Sequence, residues 1–98
     1  MVLEHAVLQV IPGEEMAFEA AFREAADIIS TARGFRSLRL ERCLEVGGRY
    51  VLLVEWDTLE DHTEGFRGSP EYQQWAMRLH RFYEPFPSVE HYEPVLSR

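Results

Sequence analysis

The feature that most constrains the fold is a pair of strand-like runs joined by Gly47 and Gly48. Residues 35–45 alternate between apolar and polar side chains, and residues 50–56 are aliphatic or aromatic at nearly every position. Adjacent glycines supply the positive φ angles that a tight turn between antiparallel strands requires. The two runs therefore predict a β-hairpin, so an antiparallel sheet has to be part of the fold.

The segments on either side of this hairpin have periods of their own. An apolar run that stops at Pro12 and Gly13 indicates a buried strand, and apolar residues at helical spacing follow it. Ser69 and Pro70 are typical of a helix start, because serine caps the first turn and proline fits its first position. The predicted elements are, in order, a strand over residues 2–11, a helix from Glu14 to Gly34, strands over 35–45 and 50–56, a short helix capped by Asp57 or Thr58, a helix from Ser69 and a strand over 88–95.

This order predicts one α+β domain, spanning residues 1–98, with a ferredoxin-like, split βαβ arrangement. Its four-stranded antiparallel sheet carries the helices on one face, and the expected strand order is four-one-three-two. The first and third strands are apolar on both sides, whereas the chain has helices enough for one face only. An uncovered apolar face would be a large exposed patch. We therefore expect a symmetric homodimer that buries sheet against sheet.

Composition restricts the partners and the location of the protein. The 98 residues carry a formal net charge of −7, which argues against a nucleic-acid partner and against binding to an anionic membrane surface. No apolar run reaches the length of a membrane span, and the first residues lack the features of a signal peptide. We expect a cytoplasmic protein without a membrane partner. The motifs of nucleotide, phosphate and zinc binding are missing, so we also expect no cofactor and no metal.

Side chains suited to a small-molecule pocket cluster where the third strand meets the helices. We expect a pocket between sheet and helices lined by Trp56, His62, Phe66, Tyr72 and Trp75. Trp56 either packs in the core or forms a flat wall against a planar aromatic ligand. His62 is either a solvated helix residue or a general acid or base that titrates near neutral pH. The functional interpretation assigns Trp56 and His62 to catalysis and the other three to substrate binding.

Two further sets of polar residues are open to more than one interpretation. Arg78, on the last helix, is a candidate to bind the oxyanion of a substrate, although an ion pair with one of the many glutamates is the plainer interpretation. His5 and His91 belong to strands that we expect to be neighbours, so a pair between them is conceivable. Surface or hydrogen-bonded core histidines are the plainer interpretation of both.

The chain resembles a known family at several points along its length. These are the turn Pro12-Gly13, the segment Arg33-Gly34-Phe35 before the second strand, the strand end Glu55-Trp56-Asp57 and the segment Phe66-Arg67-Gly68-Ser69-Pro70-Glu71-Tyr72. Together with the split element order, they resemble the antibiotic biosynthesis monooxygenase domain of the dimeric α+β barrel superfamily. The resemblance implies a homodimer and a cofactor-independent oxygenase of polycyclic aromatic phenols.

The resemblance also bears on individual residues. Trp56 matches the family's pocket tryptophan, and His62 falls near the position where some members have a polar tyrosine. The asparagine of the monooxygenase members has no counterpart, because this chain contains no asparagine. Haem-degrading relatives are a weaker match, since Phe66 and Ala76 fall where those enzymes have a tryptophan and the haem-ligating histidine. A dimeric, non-catalytic ligand-binding or accessory protein is the remaining alternative.

Overall fold

A computed structural model describes residues 1–98 as a four-stranded antiparallel sheet with two helices on one face. The strands are β1 (Val2–Gln9), β2 (Phe35–Arg42), β3 (Arg49–Trp56) and β4 (Val89–Tyr92), and the helices are α1 (Glu15–Ile29) and α2 (Pro70–Leu79). A π-helical turn (Asp61–Phe66) precedes α2, and a 3-10 turn (His80–Phe82) follows it. The strand order β2-β3-β1-β4 confirms the predicted order and the ferredoxin-like fold.

Several elements are shorter than the sequence predicted. β1 stops at Gln9, because Val10 makes only an isolated bridge with Tyr83. The residues between Ile29 and Gly34 form turns instead of extending α1. β2 ends three residues early, at Arg42, and β4 is only four residues long because it pairs solely with Leu3 to Ala6 of β1.

The helix starts agree with the capping chemistry in the sequence. The Ser69 hydroxyl accepts a hydrogen bond from the Tyr72 amide at 3.2 Å, and the Thr58 hydroxyl accepts one from the Asp61 amide at 3.1 Å. Thr58 rather than Asp57 therefore caps the helical residues that begin at Leu59 and lead into the π-helical turn, and Asp57 forms an ion pair with Arg36. Neither α1 nor α2 has the length and apolar character that crossing a membrane requires.

The two faces of the sheet have different surroundings. On the inner face, Tyr50, Leu52, Val54 and Trp56 of β3 are all buried beneath the helices. The outer face carries no helix, and Val7 at its centre is 45% exposed. Alternate residues of a strand point to opposite faces. Each residue of β1 and β3 therefore lies either on the buried inner face or on the outer face.

Gly34 positions the π-helical turn above the end of β3. Its φ angle is +82°, and a Cβ atom there would overlap the side chain of Asp61. Its carbonyl accepts a hydrogen bond from the Asp57 amide at 2.8 Å. Only glycine combines this backbone conformation with so close an approach. The turn is thereby held against the sheet, which brings His62 over the inner face.

Candidate active site

An open cavity of about 460 Å³ lies between the inner face of the sheet and the segments that cover it. Its size is within the range typical of small-molecule sites. The sheet contributes Glu4, Ala6 and Leu52, and apolar and aromatic side chains from α1, α2 and the segment after α2 form most of the remaining wall. The pocket expected from the sequence is therefore present as an open space, and polar groups reach it.

Four of the six residues predicted to form the site line this cavity. They are His62, Phe66, Tyr72 and Trp75. Trp56 lies behind the wall: it is fully buried, and its indole stacks on the His62 ring with 5.3 Å between ring centroids. Trp56 therefore supports the wall of the cavity, and no part of its ring system faces a ligand directly.

Arg78 lies outside the cavity, in contrast to its predicted role in substrate binding. α2 packs with Trp75 and Leu79 toward the core, which leaves Arg78 on the side facing α1. There its guanidinium is 4.0 Å from the carboxylate of Glu24 and donates to the Gln74 side chain at 3.1 Å. The ion-pair interpretation of Arg78 is the one that matches this geometry.

A different arginine, Arg67, contributes to the cavity wall. It follows the π-helical turn, and its guanidinium is absent from the four arginine–carboxylate ion pairs of the structure. Arg67 was part of the segment that carries the family resemblance and was not predicted to be a site residue. An unpaired guanidinium beside a cavity is suited to bind an oxyanion.

Four side chains form a series of polar contacts in the cavity wall, which we call the buried network: Trp56, Glu4, His62 and His91. The Trp56 indole nitrogen donates to Glu4 Oε1 at 3.0 Å. His62 Nε2 is 3.2 Å from the same oxygen, and His62 Nδ1 is 2.8 Å from His91 Nε2. Glu4 and His62 are 5% and 3% exposed, so this is a carboxylate–imidazole pair almost removed from water.

Strand register brings the buried network together. Glu4 is on the inner face of β1, directly opposite Val54 of β3 and His91 of β4. His5, one residue later, is on the outer face opposite Glu90. The suggested pair of His5 and His91 is therefore wrong, because the pairing register places the two rings on opposite faces.

Burial sets the protonation of the network. Desolvation lowers the pKa of His62 to about 3, and the nearby charge of Arg67 and the His91 ring act in the same direction. Desolvation also raises the pKa of Glu4, although the Trp56 hydrogen bond opposes that shift. His62 is therefore neutral at neutral pH. The two contacts of the neutral ring fit the tautomer that carries the proton on Nε2, the nitrogen nearest the Glu4 carboxylate, and accepts at Nδ1 from His91.

Within the pair of Glu4 and His62, the polar atom that has no partner is the second carboxylate oxygen of Glu4, Oε2. Both ring nitrogens of His62 are engaged, whereas the only Glu4 atom with a hydrogen-bond partner is Oε1. No inaccessible side-chain oxygen or nitrogen in the structure lacks a partner, so Glu4 Oε2 must be accessible from the cavity that Glu4 lines. A carboxylate oxygen with a raised pKa, facing an aromatic cavity, is a competent proton acceptor.

Comparison with known proteins agrees with this fold and assigns a family. The sequence model of the antibiotic biosynthesis monooxygenase family matches residues 1–78. The uncharacterised protein YczJ of Bacillus subtilis (strain 168) is 58% identical over 95 residues, which cover 97% of this chain and 100% of YczJ. A solved structure from Bordetella bronchiseptica, named for the same family, is 35% identical with a TM-score of 0.93 and covers 97% of both chains. This chain belongs to the antibiotic biosynthesis monooxygenase family.

A more distant structure has the same fold. SnoaB from Streptomyces nogalater, a cofactor-independent oxygenase, superposes with a TM-score of 0.81 over 98% of this chain and 94% of its own, at 19% identity. At this level of identity, the likeness concerns the arrangement of the sheet and the helices.

The lowered pKa of His62 makes a prediction about stability. The folded pKa of about 3 is below the ordinary value of 6.5, so the unfolded state binds the extra proton and stability is lost as the pH falls below about 6.5. Glu4 has the opposite sign, since its raised pKa favours the folded state on acidification. The free energy of unfolding of the wild type relative to His62→Gln should fall by up to about 1.4 kcal/mol per pH unit between pH 6.5 and 4.5.

Urea unfolding at a series of pH values measures this difference. The control is His5→Gln, which removes an imidazole from the outer face and leaves the buried network intact. A difference between wild type and His62→Gln that stays constant over this range contradicts a buried neutral His62.

Proposed function

We propose that this protein is a cofactor-independent monooxygenase that deprotonates a planar aromatic small molecule in the cavity and lets the resulting anion react with oxygen. The observation that carries the proposal is the buried pair of Glu4 and His62 in the wall of an open, aromatic-lined cavity. A core residue has no need of an accessible carboxylate oxygen, whereas a general base requires one.

The proposed reaction needs no electron donor other than the substrate. Glu4 Oε2 takes the hydroxyl proton of an aromatic phenol, and the charge spreads to the ring carbon para to the oxygen. Oxygen adds at that carbon to form a C–O bond, and the O–O bond then breaks with loss of water and of the C–H proton. One oxygen atom stays as the second carbonyl of a quinone and the other leaves in water, and the substrate supplies all four electrons.

The cavity wall suits such a substrate. Phe66 and Trp75 are buried aromatic residues with rings 6.0 Å apart in an edge-to-face arrangement, and Tyr72 packs against Phe66 at 5.5 Å. Aromatic side chains bind planar rings through stacking and edge contacts. The Arg67 guanidinium at the same cavity is the group we assign to the phenolate oxygen. SnoaB, with the same fold, is described as a cofactor-independent oxygenase.

The alternative is a non-catalytic binding protein. One residue favours haem as the ligand of such a protein. His80 lines the cavity, one turn beyond Ala76, which occupies the position of the haem-ligating histidine in the resemblance. Haem titration separates these possibilities, because ligation by His80 shifts the Soret band and a His80→Ala variant abolishes the shift. Ligand binding without oxygen uptake would favour the accessory role.

We also propose that the outer face of the sheet joins two copies of the chain. Leu3, Val51 and Leu53 are only partly covered there, and Val7 is 45% exposed. An apolar sheet face of this kind needs a partner, and a second copy related by a twofold axis presents the same surface. The dimer leaves the cavity untouched, because Glu4 and His62 are on the inner face.

The dimer predicts a mass of twice 11.5 kDa in sedimentation at micromolar concentration. Leu53→Glu should convert it to a folded monomer, since two buried carboxylates would face each other across the interface. Leu44→Glu, at a loop position that is 92% exposed, is the control and should remain dimeric. A wild-type monomer of 11.5 kDa contradicts the proposal.

Replacing the proton acceptor predicts a loss of oxygenation. With anthrone as the probe and an oxygen electrode as the readout, Glu4→Gln should lower kcat by roughly a hundredfold or more, the usual contribution of a general base. His62→Ala should lower kcat as well, because His62 positions the Glu4 carboxylate. Arg81→Ala, an exposed position outside the cavity, is the control and should keep the wild-type rate. Wild-type oxygen uptake by a folded Glu4→Gln variant rules out Glu4 as the base.

A further inference from the structure

A second proton-handling group lines the same cavity as Glu4. His80 follows the last residue of α2 and contributes its ring to the helical side of the wall, whereas Glu4 belongs to the sheet. His80 has no hydrogen-bond partner among the side-chain bonds of the structure, and no inaccessible polar side-chain atom lacks a partner. Its ring nitrogens are therefore accessible, and the oxygenation described above leaves His80 without a role.

Aromatic neighbours hold the His80 ring in a defined position. The ring packs edge-on against Phe86 with 4.8 Å between centroids, and Tyr72 and Tyr83 are 6.0 Å and 5.8 Å away. Burial lowers the pKa of His80, so at neutral pH the ring is an unprotonated imidazole that can accept a proton. Glu4 lines the same cavity from the sheet, and its raised pKa means that it holds a proton more readily than an exposed carboxylate does.

We propose that this cavity also catalyses keto–enol tautomerisation of aryl-substituted 2-oxo acids, with Glu4 serving the carbon end and His80 the oxygen end of the substrate. Two acid–base groups that face one cavity from the sheet and from the helices are the arrangement that a 1,3-proton shift requires. The aryl group fits the aromatic wall, and the unpaired Arg67 provides a cation for the carboxylate.

The proton transfers balance without any other reactant. In ketonisation, a His80 nitrogen takes the enol O–H proton, the oxygen lone pair forms the C=O bond, and the C=C electron pair takes a proton from the Glu4 carboxyl group. The site is left with an imidazolium and a carboxylate. A proton then returns from His80 to Glu4 through solvent, and enolisation is the same path in reverse.

This activity shares Glu4 with the proposed oxygenation but needs no oxygen, so each can be tested without the other. The probe is phenylpyruvate, whose enol absorbs in the ultraviolet and decays as it ketonises. Under argon, the wild type should speed the decay above the buffer rate, and in D2O it should place deuterium on a single face of the methylene carbon. Catalysis by general surface groups would give no preference between the faces.

Variants assign the two ends of the reaction. Glu4→Gln and His80→Gln should each lower the tautomerisation rate by about a hundredfold, the contribution expected of one acid–base group. Arg81→Ala, next to His80 in sequence and exposed, is the matched control. If Glu4→Gln does not fold, His80→Gln still decides, because half-buried His80 makes no hydrogen bond that folding requires.

The outcomes separate this proposal from the oxygenase. A His80→Gln variant that loses tautomerisation and keeps oxygen uptake with anthrone supports a distinct role for His80. Enol decay at the buffer rate under argon, in a protein that consumes anthrone and oxygen, overturns the tautomerase and leaves the oxygenase standing. A His80→Gln variant with wild-type tautomerisation removes His80 from the reaction.

Discussion

The buried carboxylate of Glu4 is the constraint on which the rest of the site depends. A carboxylate that is removed from water must be compensated by polar partners, and Glu4 accepts a hydrogen bond from the Trp56 indole and lies 3.2 Å from His62 Nε2. These two partners belong to β3 and to the π-helical turn, while His91 on β4 completes the series. The same interaction therefore ties three segments to β1 and prevents the cavity wall from packing as a purely apolar core.

The chemistry follows from this arrangement of burial and bonding. Desolvation shifts the pKa of Glu4 upward and that of His62 downward, so His62 is neutral at neutral pH and Glu4 holds a proton more readily than an exposed carboxylate does. Trp56 stacks on the His62 ring and fixes its plane. Proton transfer at Glu4 is the step common to the proposed oxygenation and the proposed tautomerisation, and the cavity differs from a packed core in leaving Glu4 Oε2 accessible.

The sequence predicted the fold and the location of the cavity better than its chemistry. Periodicity and capping residues give the element order, and Phe66 falls in the wall where expected. Glu4 was not predicted to be a site residue, because an acid within an apolar strand can be placed on the core face only once the strand register is known. The same register separates His5 from His91, and side-chain contacts between helices, such as the one that holds Arg78 away from the cavity, leave no periodic signal.

The most direct test of the account is the tautomer of His62, read from the ¹⁵N shifts of its ring nitrogens by NMR from pH 8 to pH 5. A buried, neutral ring predicts a protonated Nε2 and an unprotonated Nδ1 throughout this range, since the pKa of His62 is about 3. Replacement of Glu4 by Gln should alter the Nε2 signal, because the donor then faces an amide oxygen or nitrogen. A His62 ring that titrates near its ordinary pKa of 6.5, with both nitrogens in exchange with solvent, would contradict the buried network as the centre of this site.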